Sequence, residues 1–153
     1  MILWDAEAPD APGLLGCVGV RDLDLDGRDD VVAVDGLNST LNVFLALASP
    51  EQPFQPRRSE IYPGLVEPVD LAFLDRNGDG FEDIVFAGRD GRILVFFGAG
   101  DGSLEGAREL YAGPEVEAVR TADLDSDGKD EIIVSAAVPG LVILTPAEEE
   151  CGE

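Results

Sequence analysis

Three nine-residue segments rich in carboxylates recur along the chain: DLDLDGRDD at 22–30, DRNGDGFED at 75–83 and DLDSDGKDE at 123–131. Their first aspartates are 53 and 48 residues apart, and a period of this length indicates a repeat architecture. Acidic side chains at alternate positions repel one another unless a cation lies among them. The three segments hold 14 of the 32 acidic residues, so much of the net charge of −22 is concentrated in them.

Each acidic segment lies between short stretches that favour β-strands. Before the segments stand CVGVR, VDLAFL and AVRTA, and after them stand VVAVDG, IVFAGRDG and IIVSAAVPG, which are rich in Val and Ile. A further apolar run follows each unit, and the pair Asp90-Gly91 between two such runs predicts a hairpin. A fourth, more polar segment follows the first two units, FQPRRSEIYPG and LEGARELYAG.

Four short strands per unit, without helical periodicity, predict an all-β fold of three four-stranded propeller blades. We place the blade units at approximately 14–62, 65–111 and 114–146. The fourth segment is missing after the third unit, whereas residues 1–13 precede the first unit, so we interpret these residues as a displaced outer strand of the last blade.

Three blades are too few for a closed propeller, because such rings have about four to eight. We therefore expect two chains to form a homodimer that completes a six-bladed β-propeller by strand exchange. A trimer and a fragment of a larger propeller are the alternatives, and the sequence does not decide the oligomer number.

Within each acidic segment, side-chain oxygens stand at positions 1, 3, 5 and 9, and glycine stands at position 6. Ca²⁺ takes about six to eight hard oxygen ligands, and alternate positions on a tight loop direct several of them to one point. The backbone carbonyl of position 7 (Arg28, Phe81 or Lys129) is a natural further ligand. The predicted ligands of three calcium sites are Asp22, Asp24, Asp26, Arg28 and Asp30; Asp75, Asn77, Asp79, Phe81 and Asp83; and Asp123, Asp125, Asp127, Lys129 and Glu131.

The EF-hand loop begins in the same way but requires a bidentate acid at position 12 and flanking helices. Position 12 here is Ala33, Phe86 or Val134, which are apolar residues inside predicted strands, so the EF-hand interpretation fails. For any one loop, a solvated Asp-Gly turn is the alternative, and the recurrence of one pattern in three loops favours metal sites. The second loop carries Asn77 in place of an aspartate, and we expect it to bind calcium most weakly.

The pattern D-x-[DN]-x-D-G-x-x-[DE] between two strands, followed by an apolar third strand and GAGDGSL at 98–104, resembles the FG-GAP/VCBS repeat of integrin α-subunit-type β-propellers. The resemblance covers nearly the whole chain. It implies a calcium-stabilised propeller, usually extracellular or at the cell surface, that acts as a binding platform or as an accessory domain of surface proteins.

The chain has no histidine, so neither a Ser-His-Asp nor a Cys-His arrangement is available, and we do not expect an enzyme. We expect a non-catalytic calcium-binding module that acts as a structural or recognition scaffold for a protein or glycan ligand. The alternatives are an engineered or excised propeller fragment whose role is self-assembly, and an accessory domain of a carbohydrate-active enzyme.

The net charge of −22 opposes binding to phosphate backbones, so we expect no nucleic-acid partner. No apolar run approaches the roughly 18–20 residues that span a bilayer, which argues against membrane insertion. The opening MILWDAEAPD lacks the basic and apolar regions of a signal peptide. Whether Cys17 and Cys151 form a disulfide is left open by the sequence.

Overall fold

The computed structural model describes residues 15–36, 39–49, 51, 53–54, 58–62, 67–137 and 140–145. These residues form eleven β-strands and no helix, which confirms the all-β prediction. The strands lie in three antiparallel sheets, two of four strands and one of three, arranged as successive propeller blades.

Each sheet is built from strands that are consecutive in the chain. Sheet 1 contains β1 (Leu15–Arg21), β2 (Asp30–Asp35), β3 (Thr40–Phe44) and β4 (Arg58–Ile61). Sheet 2 contains β5 (Pro68–Leu74), β6 (Asp83–Gly88), β7 (Arg92–Gly98) and β8 (Leu104–Tyr111). Sheet 3 contains β9 (Val116–Ala122), β10 (Glu131–Ala136) and β11 (Leu141–Leu144).

Sheet 3 ends at β11 among the described residues, whereas the first two sheets continue to a fourth strand. Residues 1–13, which we interpret as a displaced outer strand, lie outside the described residues. Strand exchange and the two-chain ring therefore stay predictions.

Sheet 2 lies between the other two sheets and buries both of its faces. Along β6, Ile84 and Phe86 belong to the apolar cluster shared with sheet 1, while Val85 and Ala87 belong to the cluster shared with sheet 3. None of these four residues is more than 1% exposed. Because side chains alternate between faces along a strand, a continuous apolar run is what a strand buried on both faces requires.

The first cluster joins sheets 1 and 2, and its largest members include Leu41, Phe86 and Phe96. The ring of Tyr62 extends this cluster, meeting the Phe96 ring edge-on with centroids 4.2 Å apart. The second cluster joins sheets 2 and 3 through residues such as Ile93 and Ile132. The two clusters hold the three sheets in one stack.

The predicted hairpin at Asp90-Gly91 is confirmed, because these residues form the turn between β6 and β7. Gly91 has a φ of +99°. A Cβ at this position would lie 2.3 Å from the carbonyl oxygen of Gly113, so the close approach of the next chain segment also requires glycine.

The first strands of the three sheets, β1, β5 and β9, are neighbours across the stack. Gly19 of β1 lies against β5, where an added Cβ would be 2.3 Å from Leu71 Cδ1. Thr121 of β9 donates from its hydroxyl to the carbonyl of Phe73 on β5 at 2.7 Å. These strands therefore form the inner edge at which the blades meet.

Candidate functional site

The three acidic loops occupy the same place in each sheet, between the first and the second strand. Loop 1 (residues 22–30) joins β1 to β2, loop 2 (75–83) joins β5 to β6, and loop 3 (123–131) joins β9 to β10. Arg21, at the end of β1, forms an ion pair with Glu82 of loop 2. Loops 1 and 2 therefore lie along the same edge of the stack.

The carboxylate at position 1 organises each loop by accepting backbone hydrogen bonds from the turn that follows. Asp22 Oδ2 accepts from the amide of Gly27 at 2.9 Å. The matching bonds run from Gly80 to Asp75 at 2.8 Å and from Gly128 to Asp123 at 3.0 Å. The three loops share this hydrogen bond, so they fold alike around their first aspartate.

Backbone conformation repeats as well. The position-6 glycines Gly27, Gly80 and Gly128 have φ values of +85°, +88° and +88°. Position 4 also has positive φ, at +58° for Leu25 and +65° for Ser126. Positive φ disfavours residues with a Cβ, so these two positions hold a conformation that the surrounding hydrogen bonds must support.

The carboxylate at position 9 is the most buried part of each loop, with Asp30 and Asp83 at 0% and Glu131 at 3% exposure. Asp30 accepts hydrogen bonds from the amides of Leu23 at 2.8 Å and Ala46 at 2.7 Å. Buried carboxylates need such partners because desolvation of an unpaired charge is costly.

The other two loops use the position-9 acid in the same way. Asp83 accepts from the amides of Arg76 and Gly98, both at 2.9 Å, and Glu131 accepts from the amide of Leu124 at 2.8 Å. Each carboxylate oxygen has a second lone pair, so these acids remain able to face a cation while they bind the backbone.

Two of the loops gather three carboxylates closely enough to hold a metal ion. In loop 1, oxygens of Asp22, Asp24 and Asp30 all lie within 4.8 Å of one another. In loop 3, Asp123, Asp125 and Asp127 do the same. The first cluster is partly buried and the second is exposed.

Loop 2 differs from the other two. Across the described ranges, no group of three acids of this kind is found at 75–83. Asn77 stands at position 3, and its Nδ2 donates to Asp79 Oδ2 at 2.7 Å. The amide supplies one acceptor oxygen where the other loops supply a full carboxylate.

The remaining predicted ligands lie beside the clusters. The carboxylate of Asp26 is paired with the guanidinium of Arg28, and Asp26 is not a member of the loop 1 cluster. The carboxylate of Glu131 accepts a hydrogen bond from the amide of Leu124 and is not a member of the loop 3 cluster. At position 7, the backbone amide of Phe81 donates a hydrogen bond to Asp79 at 2.8 Å. The amide of Lys129 donates to Asp127 at the same distance.

The electrostatics of the loops favour protonation or a counter-ion. Burial raises the pKa of Asp24, and the charges of Asp30 and Asp26 raise it further. Burial also raises the pKa of Asp83, against the lowering effect of the hydrogen bonds from Gly98 and Arg76. A cation near these groups would favour the ionised carboxylates.

The donor set fits one kind of metal. All side-chain donors in the two clusters are carboxylate oxygens, and the sequence has no histidine. Hard oxygen donors suit Ca²⁺, Mg²⁺ or Mn²⁺ and do not suit thiolate- or imidazole-seeking metals. The loops therefore fit a hard divalent cation.

Contacts between blades near the loops had no signal in the sequence. Asp70 of β5 accepts from the amide of Val119 at 3.1 Å and pairs with Arg120, about fifty residues further along the chain. From loop 2, Arg76 donates to the carbonyls of Leu144 at 3.0 Å and Thr145 at 2.7 Å. These bonds tie sheet 2 to sheet 3, and only the fold brings their partners together.

Three antiparallel blades, each with an acidic turn between its first two strands, define a β-propeller repeat protein. The model of the FG-GAP-like repeat matches residues 22–86 and again residues 75–134. The chain belongs to the FG-GAP-like repeat family, as its resemblance to FG-GAP/VCBS repeats implies. A comparison with curated proteins finds no match. Within the described ranges, no helix has the length and apolar character to cross a bilayer.

Proposed function

We propose that the protein is a non-catalytic propeller module that binds Ca²⁺ in its three acidic loops and acts as a scaffold for recognition of a protein or glycan ligand. The observation that carries the proposal is the loop 1 cluster of Asp22, Asp24 and Asp30, whose oxygens lie within 4.8 Å of one another. The family membership of the chain supports the scaffold role.

The cluster in loop 1 is unfavourable without a counter-charge. Two unit charges at about this separation repel by roughly 3–4 kcal/mol at an effective dielectric constant near 20. The guanidinium of Arg28 pairs with Asp26, and that of Arg21, which precedes the loop, pairs with Glu82. A divalent cation held by Asp22, Asp24 and Asp30 would remove the repulsion, with the Arg28 carbonyl as a further donor.

Calcium suits these loops better than magnesium. Mg²⁺ requires near-octahedral geometry and gives up its water reluctantly, whereas Ca²⁺ accepts irregular sets of about six to eight oxygens. The loops offer irregular sets, since Asp30 is buried against two amides while Asp24 is half-buried. The ion would supply positive charge between strands and needs no redox or acid-base role.

Calcium binding would stabilise the blade as well as the loop. In loop 1 the buried acid Asp30 connects the carboxylate cluster to the backbone amide of Ala46, just beyond β3. A ligand that binds only the folded chain stabilises it by about 2.7 kcal/mol when its concentration is 100 times its Kd. The energy of ion binding is therefore available to hold the first three strands of the sheet together.

An extracellular or cell-surface location agrees with this role. FG-GAP-like repeats are typical of extracellular proteins. Extracellular calcium modules bind with Kd values on the order of 10⁻⁴–10⁻³ M, so even an exposed site such as that of loop 3 would be filled there.

The recognition role is separable from the two alternatives by direct assay. Arrays of glycans and of extracellular protein ectodomains test for a ligand, and activity against glycoside substrates tests for membership of a carbohydrate-active enzyme. Binding without turnover supports the scaffold. A chain that assembles but binds nothing in the arrays supports the self-assembly alternative.

The calcium proposal is tested by titrating Ca²⁺ and Mg²⁺ into chelator-treated protein by calorimetry. We expect calcium to bind more tightly than magnesium. The substitution Asp24→Asn should weaken one site by more than about tenfold, because it removes a cluster charge. The matched control Asp29→Asn makes the same change at an exposed loop 1 residue outside the cluster.

A second matched pair, Asp125→Asn against Asp130→Asn, applies the same comparison to loop 3. The proposal is wrong if wild-type protein shows no calcium binding at 5 mM, a concentration above about 10⁻³ M. It is also wrong if the control variants lose as much affinity as the cluster variants.

A further inference from the structure

Large apolar side chains are exposed at both ends of the three-sheet stack. On β1, at one end, Val18 is 64% exposed and Val20 is 56% exposed. On β11, at the other end, Leu141 is 61% exposed and Ile143 is 48% exposed. We name the surface at Val18 and Val20 the leading face and the surface at Leu141 and Ile143 the trailing face.

The leading face includes a repeat position that is buried in the other two sheets. Val18 stands four residues before the first aspartate of loop 1, and the matching residues are Leu71 and Val119. Leu71 is 7% exposed and Val119 is 0% exposed. Leu71 is covered by the preceding sheet, since it packs on Gly19 of β1. Val18 is exposed, and no sheet precedes β1 among the described residues.

The trailing face includes a repeat position that the following sheet covers in sheets 1 and 2. The strand registers pair Ile143 with Ile133, Val43 with Val32, and Val95 with Val85, so the first member of each pair holds the same repeat position. Val43 is 3% exposed and Val95 is 1% exposed, because each is covered by the sheet that follows. In the part of the chain that the structure describes, no sheet follows β11 to cover Ile143.

The same comparison holds at two further positions. Leu141 matches Leu41 and Ile93, which are both 0% exposed, whereas Leu141 is 61% exposed. In the acidic loops, Leu124 matches Leu23, and the exposed fractions are 52% and 5%. The carbonyl of Leu23 accepts a hydrogen bond from Gly102 of the following sheet at 3.3 Å.

We infer that the leading face of one copy of this chain docks on the trailing face of a second copy. The two faces correspond to parts of the junction that joins sheet 1 to sheet 2 and sheet 2 to sheet 3, and the leading face is limited to its inner strand, β1. A second copy of the chain carries the complementary face. The three described sheets of each copy would together give six blades, within the usual range of about four to eight.

The contact is head-to-tail, so two copies related by a two-fold axis make it twice and close the ring. Further out on the leading side, Ala33 and Phe44 are already 3% and 7% exposed, so the open area is its inner end at β1. The closing junction differs from the internal ones at Arg120. Arg120 takes the position of Gly19, and its guanidinium pairs with Asp70 of sheet 2.

The test is the solution mass of the 153-residue chain in calcium, measured by sedimentation equilibrium. We expect twice the chain mass of 16.2 kDa. A single-chain mass for a folded protein overturns the inference. A mass of three or more chains, or an open series of larger species, overturns it as well.

Two double variants test which surfaces meet. The leading-face variant is Val18→Lys with Val20→Lys, and the trailing-face variant is Leu141→Glu with Ile143→Glu. Each should weaken association by at least about 100-fold, because burial of two apolar side chains is lost and charges are introduced. A mixture of the two variants should again give two-chain particles, since it contains one unmodified junction and one junction of opposite charges.

A face that paired with its own copy would give a different result: one variant would remain dimeric by itself, and the inference would be overturned. The matched control is Tyr111→Lys, at a residue 64% exposed on β8 of the middle sheet. We expect this control to keep the two-chain mass. Circular dichroism verifies that each variant folds.

Calorimetric calcium titrations of the same samples separate this inference from the proposed function. Single-chain protein with intact calcium binding overturns the docking alone. Two-chain protein without calcium binding overturns the calcium proposal alone.

Discussion

The carboxylate of Asp30 accepts a hydrogen bond from the backbone amide of Ala46 at 2.7 Å. The two residues are sixteen positions apart, one at the end of the acidic loop and the other just beyond the third strand of the same sheet. The second oxygen of Asp30 accepts from Leu23. Asp30, which the sequence predicts as a metal ligand, therefore also links the acidic loop to the sheet by hydrogen bonds.

The hydrogen bonds of Asp30 predict that Asp30→Asn destabilises the fold even when calcium is absent. Asparagine has one acceptor oxygen, so the amide of Leu23 or of Ala46 would lose its partner in a buried site, at a cost of about 1–3 kcal/mol. Urea unfolding in chelator measures this loss. Asp24→Asn, at a half-buried position, is the control. It should lower the free energy of unfolding by no more than about 0.5 kcal/mol, or raise it. Equal losses in the two variants would contradict the fastening role of Asp30.

The loops should differ in affinity, with loop 2 the weakest. Asn77 holds the position at which the other loops have an aspartate, and its amide nitrogen donates to Asp79 in this structure. The substitution Asn77→Asp adds a charge and a second acceptor oxygen, and we expect calcium affinity at this loop to rise by about tenfold. Calorimetry of the variant checks this. If Asn77→Asp leaves the weakest of the three calcium affinities unchanged or lowers it, loop 2 is not the weakest site because of Asn77.

The pH dependence of stability should change direction with calcium. The pKa of Asp24 is raised above its ordinary value of 3.8 in the folded chain. Without divalent cations, the folded state then binds the proton more tightly than the unfolded state, so this group adds stability as pH falls towards 3.8 and loses it as pH rises. In chelator, wild type should gain stability relative to Asp24→Asn on acidification from about pH 7 to pH 4.

With saturating calcium, the trend should be the opposite, because protons compete with the ion for the same carboxylates. Thermal unfolding of both proteins across this range, with and without calcium, gives the comparison. Parallel curves for wild type and Asp24→Asn in chelator would show that the carboxyl of Asp24 titrates normally.

Cys17 should be almost inert in the folded protein. Burial raises the pKa of its thiol to about 12, and the negative charge of Asp70 contributes. Since the thiolate is the reactive species, alkylation by iodoacetamide at about pH 8.5 should be more than about 100-fold slower in the folded chain than in urea. Mass spectrometry in a Cys151→Ser background follows Cys17 alone. Similar rates in both states would contradict the burial.

Much of this fold follows from local patterns. The Asp90-Gly91 turn and the apolar runs around it specify the β6–β7 hairpin, because turn chemistry and alternating burial act over a few residues. The acidic loops are equally local, since their glycines and first aspartates act within nine residues.

Other features depend on contacts between distant residues. Asp70 and Arg120 carry no local sign that they meet, because the packing of sheet 2 on sheet 3 brings them together. The register shift near the start of each first strand, as between Leu15 and Cys17, also has no clear signature in the sequence. The burial of Asp30 could be inferred only once the position of Ala46 was known.

The carboxylates of the acidic loops accept hydrogen bonds from backbone amides, from the Asp22–Gly27 bond to the buried acid at the end of each turn. A calcium ion bound as we propose would share these carboxylates with the backbone amides. The ion and the backbone would then brace the same turn, and removal of the ion would loosen the connection between the first and second strands of a sheet.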